Sequence, residues 1–225
     1  MRVSGEAERL ALALTWVLTF VTGVVDAVGF LGLDRVFTGN MTGNIVILGM
    51  GAAGADALPV LGPALALLAF AGGALAAGVA LRGAPSGWGT RVTALLGAQT
   101  VVLGALAVGL ALAGGEPDGP ARPAVAAATA AAMGCQAAVA RRVGVAGMTT
   151  VVVTSTLTGW AAESLPRGGR GAFANRGTAA ILAIFLGAVA GAVLLRATEL
   201  AVPMGLAAAL CGLVALVGHR RVRGG

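Results

Sequence analysis

Eight long runs without a single Asp, Glu or Arg, or with just one, follow each other along the chain and constrain it more than any other feature. Residues 10–33 carry only Asp26; residues 36–55, 57–81, 92–115, 123–140, 143–162, 177–195 and 200–219 carry none. Each run is 18 to 25 residues long. About 20 apolar residues cross the hydrocarbon core as a helix, so length alone lets every run span. With 58% hydrophobic and 11% charged residues and a mean hydropathy of +0.93, the chain has too little polar surface for a soluble fold. The same scarcity of charge excludes a disordered or nucleic-acid-binding chain, although the net charge is +6. The linkers are too short to hold a soluble domain, so the chain reads as one membrane domain over residues 1–225.

The runs differ in character. Run 57–81 has no polar side chain. Run 36–55 opens Val36-Phe37-Thr38-Gly39-Asn40-Met41-Thr42-Gly43-Asn44, and run 143–162 carries Thr154-Ser155-Thr156-Leu157-Thr158-Gly159. The two blocks share T-x-x-(M/L)-T-G at an offset of 116 residues. Upstream, Gly23-x-x-Asp26-Ala27-Val28 parallels Gly134-x-x-Ala137-Ala138-Val139 at an offset of 111. This predicts an internal duplication with halves 10–115 and 122–219.

All fifteen basic residues are Arg, placed between the runs, where they mark topology. If all eight runs cross, the arginines divide nine against six. If the two Thr/Gly-rich runs enter and return on one side, twelve lie on the N-terminal side and Arg35, Arg122 and Arg196 lie opposite. That stronger bias predicts an all-α polytopic bundle. It has six full spans, two broken or re-entrant polar segments and cytoplasmic termini, with eight spans as the alternative. Three crossings and one turned-back segment per half make the halves inverted, an arrangement recurrent in transporters and channels.

The chemistry that such a chain can carry is limited. Asp26 is the one carboxylate inside a run. A charge there costs roughly 2.5–3.5 kcal/mol on insertion scales, so it faces a bundle interior or water and is a candidate for proton or cation handling. Its repeat counterpart is Ala137, with Gln136 as the nearest polar neighbour. Thr38, Gly39, Asn40, Thr42, Gly43 and Asn44, with Thr154, Thr156, Thr158 and Gly159, supply hydroxyls, amides and glycine breaks. These are the candidate substrate- or ion-binding residues. The competing reading is helix packing, since Gly39-x-x-x-Gly43 is a small-xxx-small contact. Gln99 is expected in an interhelical hydrogen bond. Cys135 and Cys211 lie in separate runs, without CxxC or a nearby His, so neither a disulfide framework nor a metal site is expected. There is no Ser/His/Asp set, phosphate loop or cofactor motif, and no enzymatic activity is expected.

Gly23-x-x-Asp26-Ala27-x-x-Phe30-Leu31-x-Leu33 with Val36–Asn44, and Arg141-Arg142-x-Gly144 with Met148-Thr149-Thr150 and Thr154-x-x-Leu157-Thr158-Gly159, resemble the YoaK-like family of bacterial multi-span membrane proteins, a domain of unknown function. The resemblance covers nearly the whole chain and implies a bacterial inner-membrane location, but supplies no reaction. Members often carry Gln-Asn where this chain has Gln136-Ala137. The function expected is a transporter or channel for a small neutral or cationic solute, with Asp26 as the candidate for proton coupling. The alternative is a membrane scaffold whose polar blocks pack helices. The bilayer is the expected partner, nucleic acid is not, and the sequence does not set an oligomeric state.

Overall fold

A computed structural model describes residues 5–143, 154, 157, 158, 162 and 176–222. Within these residues the fold is helical. The elements are α1 (Gly5–Gly32), α2 (Met41–Ala52), α3 (Leu61–Ala80), α4 (Thr90–Leu112), α5 (Ala121–Val143), α6 (Arg176–Ala197) and α7 (Ala201–Val217). Six of these are long and apolar enough to cross a bilayer, and α2, at 12 residues, is not. At 1.5 Å per residue α2 is roughly 18 Å long, against a hydrocarbon core of about 30 Å. The first polar run is thus a short helix behind a non-helical entry, and not a seventh straight span. Most of the second run, including Thr156 and Gly159, lies outside the described residues.

The helix ends sort into two groups. Gly32 meets Leu200, and Gly115 meets Glu199, so the ends of α1 and α4 and the α6–α7 turn share one face. At the opposite end Gly87 N–H donates to the Arg142 carbonyl at 3.3 Å, and Gly218 packs under Trp88. Arg91 Nη1 closes that end of α3 by donating to the carbonyls of Ala80 and Arg82 at 3.1 and 2.7 Å.

Three helix pairs carry most of the packing: α3 with α5, α1 with α6, and α4 with α7. In lipid there is no hydrophobic drive between helices, so close backbone approach at small residues holds them together. A Cβ on Gly23 would be driven into the Ile184 carbonyl oxygen, and one on Gly187 into that of Phe20. In the other pair a Cβ on Gly134 would strike the Phe70 carbonyl oxygen, and one on Gly73 that of Ala131. The core between the pairs is aliphatic, with Val21, Val24, Val28, Leu96, Leu103, Met133 and Met204 fully enclosed.

Candidate functional site

The site begins where α1 ends. Asp34 and Arg35 take left-handed backbone angles (φ 62° and 57°) and turn the chain back on itself. Residues 36–40 then run down α1, opposite in direction to it. Val36 N–H donates to the Gly29 carbonyl at 3.3 Å, and Thr38 Oγ1 to that of Val25 at 3.1 Å. Gly29 permits this, because a Cβ there would meet the Val36 carbonyl oxygen. Gly39 reaches Thr22, whose Cγ2 lies 2.7 Å from where a Cβ on Gly39 would stand. Thr22 is ten residues below the end of α1, roughly 15 Å at helical rise, or about half the hydrocarbon thickness. The chain therefore descends to mid-depth before α2 starts.

Three backbone donors converge there. The N–H groups of Thr38, Gly39 and Asn40 donate to Asp26 Oδ1 at 2.9, 2.6 and 3.3 Å. Extended backbone in a bilayer has no water to satisfy it, and this carboxylate supplies the acceptor. Asn40 caps α2, its Oδ1 accepting from Gly43 N–H at 3.4 Å. Asn44, fully enclosed, completes the loop. Its Oδ1 accepts from Phe37 N–H at 2.9 Å and its Nδ2 donates to the Phe37 carbonyl at 2.6 Å. One side chain thus plays the part of a neighbouring strand. Gly43 must lack a Cβ, which would stand 2.6 Å from the Phe37 ring. α2 then rises and ends at Ala52, with Ala53 as its C-cap and Gly54 behind it in the left-handed conformation. The next span starts alongside the descending strand, with Gly62 against Val36, so segment 36–60 enters and leaves at the same end.

Above this loop lies an open groove of about 800 Å³. Phe30, stacked on Phe37 at 5.0 Å between ring centroids, Arg35, Asn40, Thr42, Met50 and Thr154 are among its lining residues. Thr154, from the second polar block, lines the same groove as Asn40 and Thr42 of the first. Thr158 is exposed, and nothing described joins it to the loop. Thr38, Gly39, Asn40, Gly43 and Asn44 gather around Asp26 or Phe37, while Thr42 points to the groove.

Gln136 stands apart from that loop, in a second polar cluster deeper in the bundle. Its Nε2 donates to the Leu18 carbonyl and to Thr22 Oγ1, both at 3.1 Å, and its Oε1 accepts from Gln99 Nε2 at 2.7 Å. The interhelical bond expected of Gln99 is this one. Thr22 connects the two clusters: it touches Gly39 and lies one helical turn from Asp26.

Sequence reasoning missed Thr15, Thr19 and Thr22. With Asp26 they recur at i, i+4, i+7 and i+11, one polar face along a span, and that spacing was open to reading. Among the described residues, no three His, Cys, Asp or Glu side chains come together as a metal-binding group.

Residues 14–217 match DUF1275, a family described as a protein of unknown function, and the chain belongs to that family. It is also similar to the UPF0700 transmembrane protein YoaK of Bacillus subtilis (strain 168), 32% identical over 141 residues. The matched stretch is 62% of this chain and 61% of that protein, so the chain spans about three fifths of that relative's length. No solved structure matches the chain.

Proposed function

We propose that this member of the DUF1275 family carries a small neutral or cationic solute across the bacterial inner membrane, with proton coupling through Asp26 and no enzymatic step. The observation that carries this reading is the non-helical strand 36–40, held at mid-depth by the Asp26 carboxylate. Broken backbone at that depth persists only where protein or a water-filled cavity satisfies it, and it is a recurrent feature of solute sites.

The packing supports two inverted halves, 10–115 and 122–219. The contact of Gly23 with Ile184 in one pair has its counterpart in Gly134 with Phe70, and Gly187 with Phe20 in Gly73 with Ala131. Each α1-to-α5 step in these correspondences is 111 residues and each α3-to-α6 step is 114. Exchanging the halves also converts α1–α7 packing into α5–α4 packing and returns α4–α7 to itself. Helix α1 runs toward the end shared with the α6–α7 turn and α5 runs away from it, so the exchange reverses direction. With twelve arginines against three, both termini are cytoplasmic in this reading.

Uptake of radiolabelled methylammonium, glycerol and urea into proteoliposomes, with and without an inward proton gradient, tests it. Asp26→Asn is expected to abolish gradient-dependent uptake, and Asn44→Ala, which weakens the same loop but keeps the carboxylate, to retain part of it. Unchanged, pH-independent flux in Asp26→Asn removes Asp26 from the mechanism.

One observation favours the scaffold reading instead. Asp26, Thr38 and Asn44 direct their hydrogen bonds to neighbouring backbone, as helix-packing devices do. Under that reading no tested solute crosses faster than through protein-free vesicles.

A further inference from the structure

The deeper polar cluster contains an acceptor that the protein does not satisfy. Leu18 offers only a carbonyl oxygen to Gln136, so the group facing it must be the Gln136 amide nitrogen. Gln136 Oε1 therefore faces Gln99, and Gln99 must present its own nitrogen, which donates at 2.7 Å. Gln99 Nε2 also lies 3.7 Å from Met133 Sδ, and Cys211 Sγ lies 3.9 Å from Gln136 Oε1. Gln136 is thus saturated. Gln99 is 2% exposed, and its Oε1 is enclosed with no hydrogen-bond partner among the described residues. Turning the Gln99 amide over would set two carbonyl oxygens against each other, so the assignment has no alternative. An enclosed acceptor left unpaired costs about 1–3 kcal/mol, which makes it a place for a donor.

The hydroxyls borne by α1, α4 and α5, the helices that carry Thr22, Gln99 and Gln136, have the same polarity. Thr15, Thr19 and Thr22 donate their protons to the carbonyls of Ala11, Thr15 and Leu18 on their own helix. Thr100 and Thr129 do likewise toward Leu96 and Val125. Each hydroxyl is left with lone pairs alone. The formal charge on the α1 face is negative, at Asp26, and no arginine lies between Arg9 and Arg35. Alcohols, urea and carboxylates bring acceptors that would meet no donor here. A protonated amine has donors and positive charge only.

We propose that Gln99 Oε1, at the junction of α1, α4, α5 and α7, is the mid-membrane binding point for a small protonated amine, ammonium being the smallest of the class. The Gln99 carbonyl oxygen replaces part of its hydration shell. The proposal rests on the transport reading for its purpose, but its test is one of binding.

Equilibrium binding of radiolabelled methylammonium to the full chain in nanodiscs decides it. The expected result is saturable binding that ammonium displaces, that urea and acetate at equal ionic strength do not, and that falls about tenfold or more in Gln99→Met. Absence of saturable binding to the wild-type chain, equal displacement by urea or acetate, or full binding by a folded Gln99→Met overturns it; a resident water at Gln99 Oε1 gives that last result. Should Gln99→Met not fold, the displacement series on the wild-type chain decides alone. Methylammonium binding without any flux leaves this site standing and removes the transport reading. Flux of glycerol without methylammonium binding does the reverse.

Discussion

Asp26 Oδ1 and the amide nitrogen of Gly39 stand 2.6 Å apart across thirteen residues of sequence. That bond and its two neighbours from Thr38 and Asn40 make the carboxylate the acceptor for the strand's three deepest N–H groups. A hydrogen bond to a charged group contributes about 1.5–3 kcal/mol, against about 0.5–1.5 for a neutral one. Asp26→Asn keeps an oxygen but loses the charge, so it should lower stability by about 1–3 kcal/mol, and Asp26→Ala by more. Thermal unfolding in detergent measures both. Wild-type stability in Asp26→Ala would show that the carboxylate does not hold the loop.

Gly39 and Thr22 approach closely across the loop, 2.7 Å between a Cβ on Gly39 and Thr22 Cγ2. Gly39→Ala is expected to cost about 1–3 kcal/mol by overpacking. Thr22→Ser removes the obstructing methyl and keeps the hydroxyl that accepts from Gln136. The double variant should therefore recover part of the loss, a coupling that a double-mutant cycle in unfolding midpoints reads directly. Strict additivity would contradict the contact.

Asn44 bonds both backbone groups of Phe37. Asn44→Ala leaves both unpaired and should cost about 2–4 kcal/mol. Asn44→Asp keeps the acceptor for Phe37 N–H but sets its second oxygen against the Phe37 carbonyl, and should fare no better than Ala. Limited proteolysis within 33–60 is expected to accelerate in both. An Asp variant as resistant as wild type would mean that the Nδ2 bond is not made.

The spans were legible because a charged side chain is costly in lipid, and the near absence of Asp, Glu and Arg draws the helices directly. The short length of α2 was only half legible. Run 36–55 looks long enough to cross, yet Asn40 is a good N-cap residue and Thr38-Gly39 a poor helix start. The role of Asp26 as an anchor was not legible, since its three partners are backbone N–H groups and leave no mark in the sequence. Nor could the four close-packing glycines be picked out among 37. What distinguishes Gly73 from Gly72 is the helix beside it.

Those two adjacent glycines give a clean comparison. A Cβ on Gly73 collides with the Ala131 backbone, whereas one on Gly72 meets nothing within 4 Å. Gly72→Ala should stabilise by about 0.5–1 kcal/mol through helix propensity, and Gly73→Ala should destabilise by separating α3 from α5. Gly187→Ala, acting on α6 and α1, should resemble Gly73→Ala. Equal effects at 72 and 73 would place the α3–α5 contact elsewhere.

The account depends most on segment 36–60 entering and leaving the bilayer on one face. In a chain with Cys135→Ala and Cys211→Ala, single cysteines at Asp34, Asp56 and Arg82 can be labelled by an impermeant maleimide in right-side-out and inverted vesicles. Labelling of positions 34 and 56 from the same side, with 82 from the other, is the predicted result. Labelling of 34 and 56 from opposite sides would make the segment a crossing helix and contradict the account.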